Sequence, residues 1–267
     1  MNSPKEVAQN YVNIGVGKTK LSIARMIILG ILAGAFIAFA GIGATVASST
    51  IQNASVAKFV GACVFPAGLA MVLIAGSELF TGNCLLIIPV LEKKATIASV
   101  LKSWVFVYIG NLIGGVLVGA LVTYGHTLSL FSSAVAGSVI NTAVAKVSMT
   151  FGDALIRGLL CNFLVCIAVW MSFAAKDVAG KIVGLFFPIM VFVVCGFEHS
   201  IANMYYISAG IFAAGNPTYL AAATADASVL TWGAMFVKNL LPVTIGNIIG
   251  GAVCVGLPYW FVYLKGD

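Results

Sequence analysis

Long apolar stretches separated by short polar segments make up nearly the whole chain. A transmembrane helix needs about 20 consecutive apolar residues to cross the hydrocarbon core of a bilayer. Six stretches are long enough, at about 24–48, 56–91, 100–124, 153–175, 178–213 and 229–264. The pattern predicts an all-α membrane protein with six transmembrane helices in one domain, residues 24–264.

The second and fifth stretches are too long for one plain helix, and the same polar motif interrupts both. Residues 76–83 read Gly-Ser-Glu-Leu-Phe-Thr-Gly-Asn and residues 196–203 read Gly-Phe-Glu-His-Ser-Ile-Ala-Asn, so both contain G-x-E-x-x-x-x-N. Non-helical backbone at membrane depth is tolerated only inside protein or beside a polar cavity. We therefore expect each helix to be broken near the midplane of the bilayer.

A second motif, Ile-Gly-Asn-x-Ile-Gly-Gly, occurs at 109–115 and again at 245–251. Its G-x-x-x-G spacing predicts close helix packing. Both motifs relate the first half of the chain to the second, which predicts repeats at about 24–125 and 153–264. Each repeat has three spans, so the two must insert in opposite senses. In such an inverted 3 + 3 repeat, the broken helices meet near the midplane.

An even number of spans places both chain ends on one side of the membrane. These ends are the N-terminal segment 1–23 and the tail 265–267, and their side contains ten Lys and Arg residues against four on the other. The positive-inside rule makes the side with ten cytoplasmic, in the cell membrane. The Ser/Ala/Gly-rich segments 125–144 and 214–228 are predicted to be external loops.

Composition supports this interpretation and excludes several others. With 61% hydrophobic and 8% charged residues, the chain is too apolar for a soluble domain. The formal charge of +6 lies mostly in the loops and does not indicate a nucleic-acid partner. The six cysteines lie in apolar stretches without metal-ligand spacing, so we expect buried thiols and neither a metal nor a cofactor.

The breaks contain ionisable residues at equivalent positions. We expect Glu78 and Glu198 to accept backbone N–H bonds and to compensate the local helix dipole. This role is structural, because a fixed negative charge would repel an anion. Asn83 and Asn203 end the two motifs and are assigned to the same structural group.

His199 differs from Leu79, its counterpart in the first repeat, so the break itself does not require a histidine. A histidine in a span is often a packing residue, but at mid-depth an imidazole can donate a hydrogen bond or a proton to a small anion. Thr81, in the opposing break, offers a hydroxyl group. Bulky apolar neighbours suited to narrow constrictions are Leu79, Phe80, Phe65 and Phe192.

Four segments, at 76–82, 161–171, 196–204 and 239–251, resemble the formate/nitrite transporter family. The string Gly-Phe-Glu-His-Ser-Ile-Ala-Asn-Met at 196–204 is very specific, and the resemblance covers about 18–265. The chain is more similar to the hydrosulfide-channel branch than to the formate or nitrite types. The resemblance implies an aquaporin-like protomer, assembled in the bilayer as a homopentamer in which each protomer has its own pore.

The resemblance also implies roles for particular residues. His199 matches the central pore histidine, Thr81 the threonine facing it, and Asn162 a fourth-span asparagine near it. Lys146 resembles a basic residue of the outer vestibule that attracts anions, although a solvated loop lysine fits this position equally well. The apolar constriction positions are matched by Leu79, Phe65, Phe192 and Val165.

The implied substrates are small monovalent anions of weak acids: formate, nitrite, hydrosulfide and, in some members, lactate or acetate. Burial in an apolar constriction raises the pKa of a weak acid. A proton given by His199, or relayed through it from water, would let the neutral acid pass. Residues 81–83 offer few donors for a carboxylate, which ranks hydrosulfide first, formate second and nitrite third.

Two other protein classes fit the sequence less well. A neutral-solute channel of the aquaporin type would have paired Asn-Pro-Ala turns at its breaks, which this chain lacks. An intramembrane enzyme would need a motif such as H-E-x-x-H or G-x-S-x-G, and neither occurs. The sequence is compatible with a channel and with a proton-coupled carrier, with either direction of flux, and with gating by segment 1–23.

Overall fold

The computed structural model describes residues 1–266, and within them the regular backbone is helical, with no β-strand. Asp267, the last residue of the predicted tail, lies outside the described residues. The main helices are α1 (Pro4–Thr19), α2 (Ile23–Ser48), α3 (Ala54–Gly76), α4 (Gly82–Leu91), α5 (Ile97–Tyr124), α6 (Ala134–Val147), α7 (Phe151–Ala174), α8 (Val178–Val194), α9 (Ser200–Ala214) and α10 (Trp232–Tyr263).

The predicted architecture of six spans is confirmed. Helices α2, α5, α7 and α10 are the unbroken spans, and the pairs α3–α4 and α8–α9 are the two broken ones. Five helices (α2, α3, α5, α7 and α10) are individually long and apolar enough to cross a membrane. The N-terminal segment contacts the end of α7, where Asn2 N–H donates to the Ala174 carbonyl at 2.8 Å. We call this end of the bundle the terminal face, and the end on which α6 lies the opposite face.

Each broken helix reaches its break at a glycine with a left-handed backbone. Gly76 ends α3 with a φ of 84°, and Gly196 follows α8 with a φ of 68°. An amino acid with a side chain is strained at such positive φ values, whereas glycine is not. This requirement explains why both polar motifs begin with glycine.

The segment 125–144, predicted as an external loop, contains most of helix α6, so this prediction was wrong. Val139 and Ile140 are fully buried in the contact between α6 and the rest of the bundle. Its small residues permit close helix contact rather than a flexible loop: a Cβ on Gly210 of α9 would overlap Ala143 of α6. On the terminal face, α1 occupies the corresponding place before the first span.

The predicted close packing at the Ile-Gly-Asn motifs is confirmed. A Cβ on Gly114 of α5 would overlap the Ile31 carbonyl of α2. In the second repeat, a Cβ on Gly250 of α10 would overlap the Leu159 carbonyl of α7. Glycine at these positions lets the backbones of the two helices come into direct contact. This contact brings Asn111 and Asn247 of the same motifs close to the two breaks.

Candidate pore and central site

A cluster of polar side chains surrounds the first break. Lys18, at the end of α1, donates to Glu78 Oε1 at 2.9 Å and to Asn83 Oδ1 at 3.0 Å. Asn83 Nδ2 donates to the other carboxylate oxygen of Glu78 at 2.7 Å and to Ser103 Oγ of α5 at 3.3 Å. The cluster therefore joins α1, the break and α5.

An equivalent cluster surrounds the second break. Lys146, at the end of α6, donates to both carboxylate oxygens of Glu198 at 3.0 Å. Asn203 Nδ2 donates to Glu198 Oε2 at 2.6 Å and to Asn239 Oδ1 of α10 at 2.8 Å. Lys146 does line a cavity, as expected for a vestibule residue, but its charge is balanced by Glu198.

The two glutamates stabilise the breaks differently from the sequence-based expectation. Their carboxylates bind lysine and asparagine side chains rather than backbone N–H groups. The backbone N–H groups of Glu78 and Glu198 instead donate to the carbonyls of Leu29 and Arg157, each at 3.2 Å. The lysine partners of these carboxylates lie 60 and 52 residues away in the sequence, outside the motif.

Two further asparagines, which are not among the predicted site residues, bind the non-helical backbone of the breaks. Asn111 Oδ1 accepts the Phe80 N–H at 3.0 Å, and its Nδ2 donates to the Glu78 carbonyl at 2.9 Å. Asn247 Oδ1 accepts the Ser200 N–H at 3.0 Å, and its Nδ2 donates to the Glu198 carbonyl at 3.0 Å. Buried backbone groups need such partners. The repeated Ile-Gly-Asn motif, which contains both asparagines, was the sequence feature that could have identified them.

His199 and Thr81 meet at the centre of the molecule. The imidazole Nε2 lies 2.8 Å from Thr81 Oγ1, and the Nδ1 accepts the Ala202 N–H at 3.0 Å as the N-cap of α9. Because Nδ1 is an acceptor, the neutral ring carries its proton on Nε2 and donates it to the threonine hydroxyl. The hydroxyl proton of Thr81 is then available to another acceptor. The two residues are 3% and 0% exposed, so the pair is shielded from bulk water.

Asn162 of α7 connects the first break to α10. Its Nδ2 donates to the Thr81 carbonyl at 3.2 Å and to the Asn247 carbonyl at 2.6 Å. It therefore contacts the backbone that carries the threonine, rather than the histidine ring. Cys166, one turn further along α7, contacts the same Thr81 carbonyl at 3.5 Å. These contacts fix the hydroxyl of Thr81 opposite the imidazole.

Cavities formed by residues 1–266 approach this pair from both faces. One of about 500 Å³ opens on the opposite face and reaches His199. Another of about 410 Å³ opens on the terminal face and reaches Ser77 and Glu78. A void of about 30 Å³ next to it is lined by Leu79 and Gly82, which lie on either side of Phe80 and Thr81 in the sequence. The central pair thus lies between two water-accessible spaces.

Apolar side chains separate the two spaces. Phe65 and Phe192 meet edge to face at 5.7 Å, and Phe192 stacks on the His199 ring at 6.0 Å. On the other side of the pair, Leu79 lines the small void. Phe80 packs on α5, with its ring 5.0 Å from that of Tyr108, and lines none of these cavities.

Val165, the remaining predicted constriction residue, is buried in α7 and also lines none of these cavities. Of the predicted site residues, the structure therefore brings together His199, Thr81 and Asn162, with Phe65, Phe192 and Leu79 on either side. Glu78, Glu198, Asn83 and Asn203 belong to the clusters that hold the breaks.

An inverted repeat with two broken helices, and with cavities that converge on one buried polar pair, defines a membrane transport protein. Residues 5–261 match the formate/nitrite transporter family, and the chain belongs to it. The chain is therefore a multi-pass membrane transport protein for small anions and not an enzyme.

Individual relatives match over almost their whole length. A probable formate transporter of Methanothermobacter thermautotrophicus is 39% identical, with 98% of this chain and 97% of the relative covered. The uncharacterized transporter YrhG of Bacillus subtilis is 40% identical, with 99% and 94% covered. A solved pentameric formate channel with formate bound is 33% identical, with a TM-score of 0.80 over 91% of this chain and 98% of that chain.

Proposed function

We propose that this protein conducts small monovalent anions of weak acids across the cell membrane, with formate as its first substrate. The observation that carries the proposal is the buried pair of His199 and Thr81, 2.8 Å apart, where the cavities from the two faces converge. The pair offers the hydroxyl proton of Thr81 to a small ion and adds no fixed negative charge. The apolar side chains around it disfavour larger or strongly hydrated ions.

The order of substrates differs from the order that the sequence suggested. Two of the relatives described above are named for formate, which supports formate ahead of hydrosulfide and nitrite. Hydrosulfide is the second candidate because the central site contains few donors. The Thr81 hydroxyl and the His199 Nε2–H are already bonded to each other. An ion with one accepting atom therefore leaves fewer of its hydrogen bonds to water unreplaced at this site than a carboxylate with two oxygens does.

The apolar constrictions require the ion to lose its charge during passage. Burial of an unpaired charge in a low-dielectric environment is costly, whereas a neutral acid passes at much lower cost. The same environment raises the pKa of a weak acid and favours its neutral form. The substrate therefore enters as an anion, becomes protonated near the centre, and leaves as an anion on the other face.

The hydrogen bonds of His199 support a relay from water rather than release of the ring's own proton. A second proton on Nδ1 would break the bond from the Ala202 N–H that caps α9. The neutral ring instead holds the Thr81 hydroxyl, which turns its own proton toward the ion. A proton from solution, carried by the water of the entry cavity, neutralises the substrate, and the neutral acid returns a proton to water in the exit cavity.

Assembly and orientation are part of the same proposal. The protein is a homopentamer with both chain ends in the cytoplasm, each protomer having its own pore. The solved relative described as a pentameric formate channel supports the assembly, and the excess of Lys and Arg on the terminal face supports the orientation.

Flux into proteoliposomes tests the function directly. We expect uptake of formate and hydrosulfide, exclusion of chloride, and faster uptake at about pH 6 than at about pH 8, because the neutral fraction of a weak acid rises as the pH falls, by up to about tenfold per pH unit above the pKa of the acid. Chloride never becomes a neutral acid in this range. Chloride uptake equal to formate uptake would contradict the proposal, and water permeability without anion flux would favour a neutral-solute channel.

A further inference from the structure

Each of the two large cavities contains one lysine that forms no ion pair. Lys58 of α3 lines the cavity on the opposite face, and Lys181 of α8 lines the one on the terminal face. The ion pairs formed within residues 1–266 are Lys18–Glu78 and Lys146–Glu198. In the same part of the chain, no side-chain hydrogen bond involves the ammonium group of Lys58 or Lys181.

The two unpaired lysines occupy nearly equivalent places in the two repeats. Both lie in the first or second turn of the first half of a broken helix, α3 or α8. Each is also close to the break of the other repeat. A Cβ on Gly196 would lie 3.9 Å from Lys58 Nζ, and Lys181 shares its cavity with Gly76.

The acidic residue nearest to Lys181 along the chain does not line the same cavity. Asp177 Oδ1 accepts the Gly180 N–H at 2.7 Å as the N-cap of α8. In the cavity on the opposite face, the carboxylate of Glu198 is bound by Lys146 through both oxygens. The charge left over in each cavity is therefore the positive charge of the unpaired lysine.

We propose that Lys58 and Lys181 attract anions into the two ends of the pore, whereas Lys146 and Lys18 hold the breaks in place. The inference rests on the proposed anion conduction and moves the vestibule role from Lys146 to Lys58. In water, a unit charge about 7 Å from an anion changes its local concentration about threefold. Low-dielectric walls around a cavity strengthen this effect.

The matched variants are Lys58→Gln and Lys181→Gln, with Lys58→Arg and Lys181→Arg as charge-preserving forms. Exposed lysines that line none of the cavities provide the controls, Lys238→Gln for the opposite face and Lys94→Gln for the terminal face. Formate flux is measured in oriented vesicles, as a function of formate concentration on each face, at low and at high ionic strength.

At about 10 mM ionic strength, Lys58→Gln should raise the half-saturating formate concentration on the opposite face about threefold. Lys181→Gln should do the same on the terminal face, and the arginine forms and both controls should match the parent protein. At about 1 M salt the differences should vanish, because the Debye length falls from about 30 Å to about 3 Å.

Two results would overturn the inference while leaving anion conduction intact. One is a Lys58→Gln variant identical to Lys238→Gln at low salt. The other is a defect that persists at high salt, which would indicate a structural effect rather than electrostatic attraction. Absence of formate, hydrosulfide and nitrite flux in the parent protein would overturn the proposed function, and this inference with it.

Discussion

Replacing Glu198 with Gln should destabilise the protein by about 3 kcal/mol, because the Lys146 ammonium then loses its counter-ion inside the protein. The lysine contacts both carboxylate oxygens at 3.0 Å, and the two side chains are only 14% and 7% exposed. Removal of one partner from a fully buried pair costs about 3–5 kcal/mol. The lower end applies here, since the adjacent cavity partly solvates Lys146. Thermal unfolding of the purified protein in detergent measures the loss.

The first repeat provides the matched control for this pair. Glu78→Gln should reduce the stability of the protein by less than Glu198→Gln does, because the Lys18 side chain is 23% exposed and also binds Asn83 Oδ1. The double variant Lys146→Met/Glu198→Gln removes both charges and should recover most of the stability lost in Glu198→Gln. A double variant no more stable than Glu198→Gln would show that the pair does not hold the second break. A larger loss in Glu78→Gln than in Glu198→Gln would contradict the argument from side-chain exposure.

The spans and the breaks could be predicted from the sequence because both depend on local signals. Apolar length alone determines which stretches can cross a bilayer. The left-handed backbone at Gly76 and Gly196 required glycine, so the repeated motif marked the breaks. The difference between His199 and Leu79 at the same repeat position singled out the histidine, which the structure places beside Thr81.

The partners of the break residues could not be predicted in the same way, because they come from distant segments. Lys18 and Lys146 belong to helices α1 and α6, which share no visible motif. A weak signal was present: each lysine lies four residues before the N-cap of the following span, Ser22 or Thr150. The small residues of α6 concealed this equivalence by making the segment resemble a loop.

The directions of the side chains at the first break could not be predicted from the sequence either. Leu79 and Phe80 are adjacent and both apolar, and both were predicted to form constrictions. The backbone is irregular at Leu79 and turns at Phe80, so the two side chains do not follow a helical or strand periodicity. Leu79 accordingly lines the small void, whereas Phe80 packs against Trp104 and Tyr108 of α5.

Replacing His199 with Phe should reduce formate flux roughly 10- to 100-fold, because loss of a buried hydrogen-bond partner costs about 1–3 kcal/mol. Phenylalanine removes the Nε2–H that binds Thr81 and the Nδ1 that caps α9. Glutamine offers a donor and an acceptor on one side chain, so His199→Gln should retain most of the flux. Its pH dependence should also persist, because we place the source of the proton in cavity water rather than in the ring.

These two variants separate the possible roles of the histidine. Formate uptake over a pH series, together with thermal unfolding to confirm that each variant is folded, provides the comparison. Loss of pH dependence in a folded His199→Gln protein would show that the imidazole itself supplies the proton. Full, pH-dependent flux in His199→Phe would show that the pair with Thr81 has no role in conduction. The bond from Ala202 N–H to Nδ1 favours neither of these outcomes, since it keeps the ring neutral and its single proton directed at Thr81.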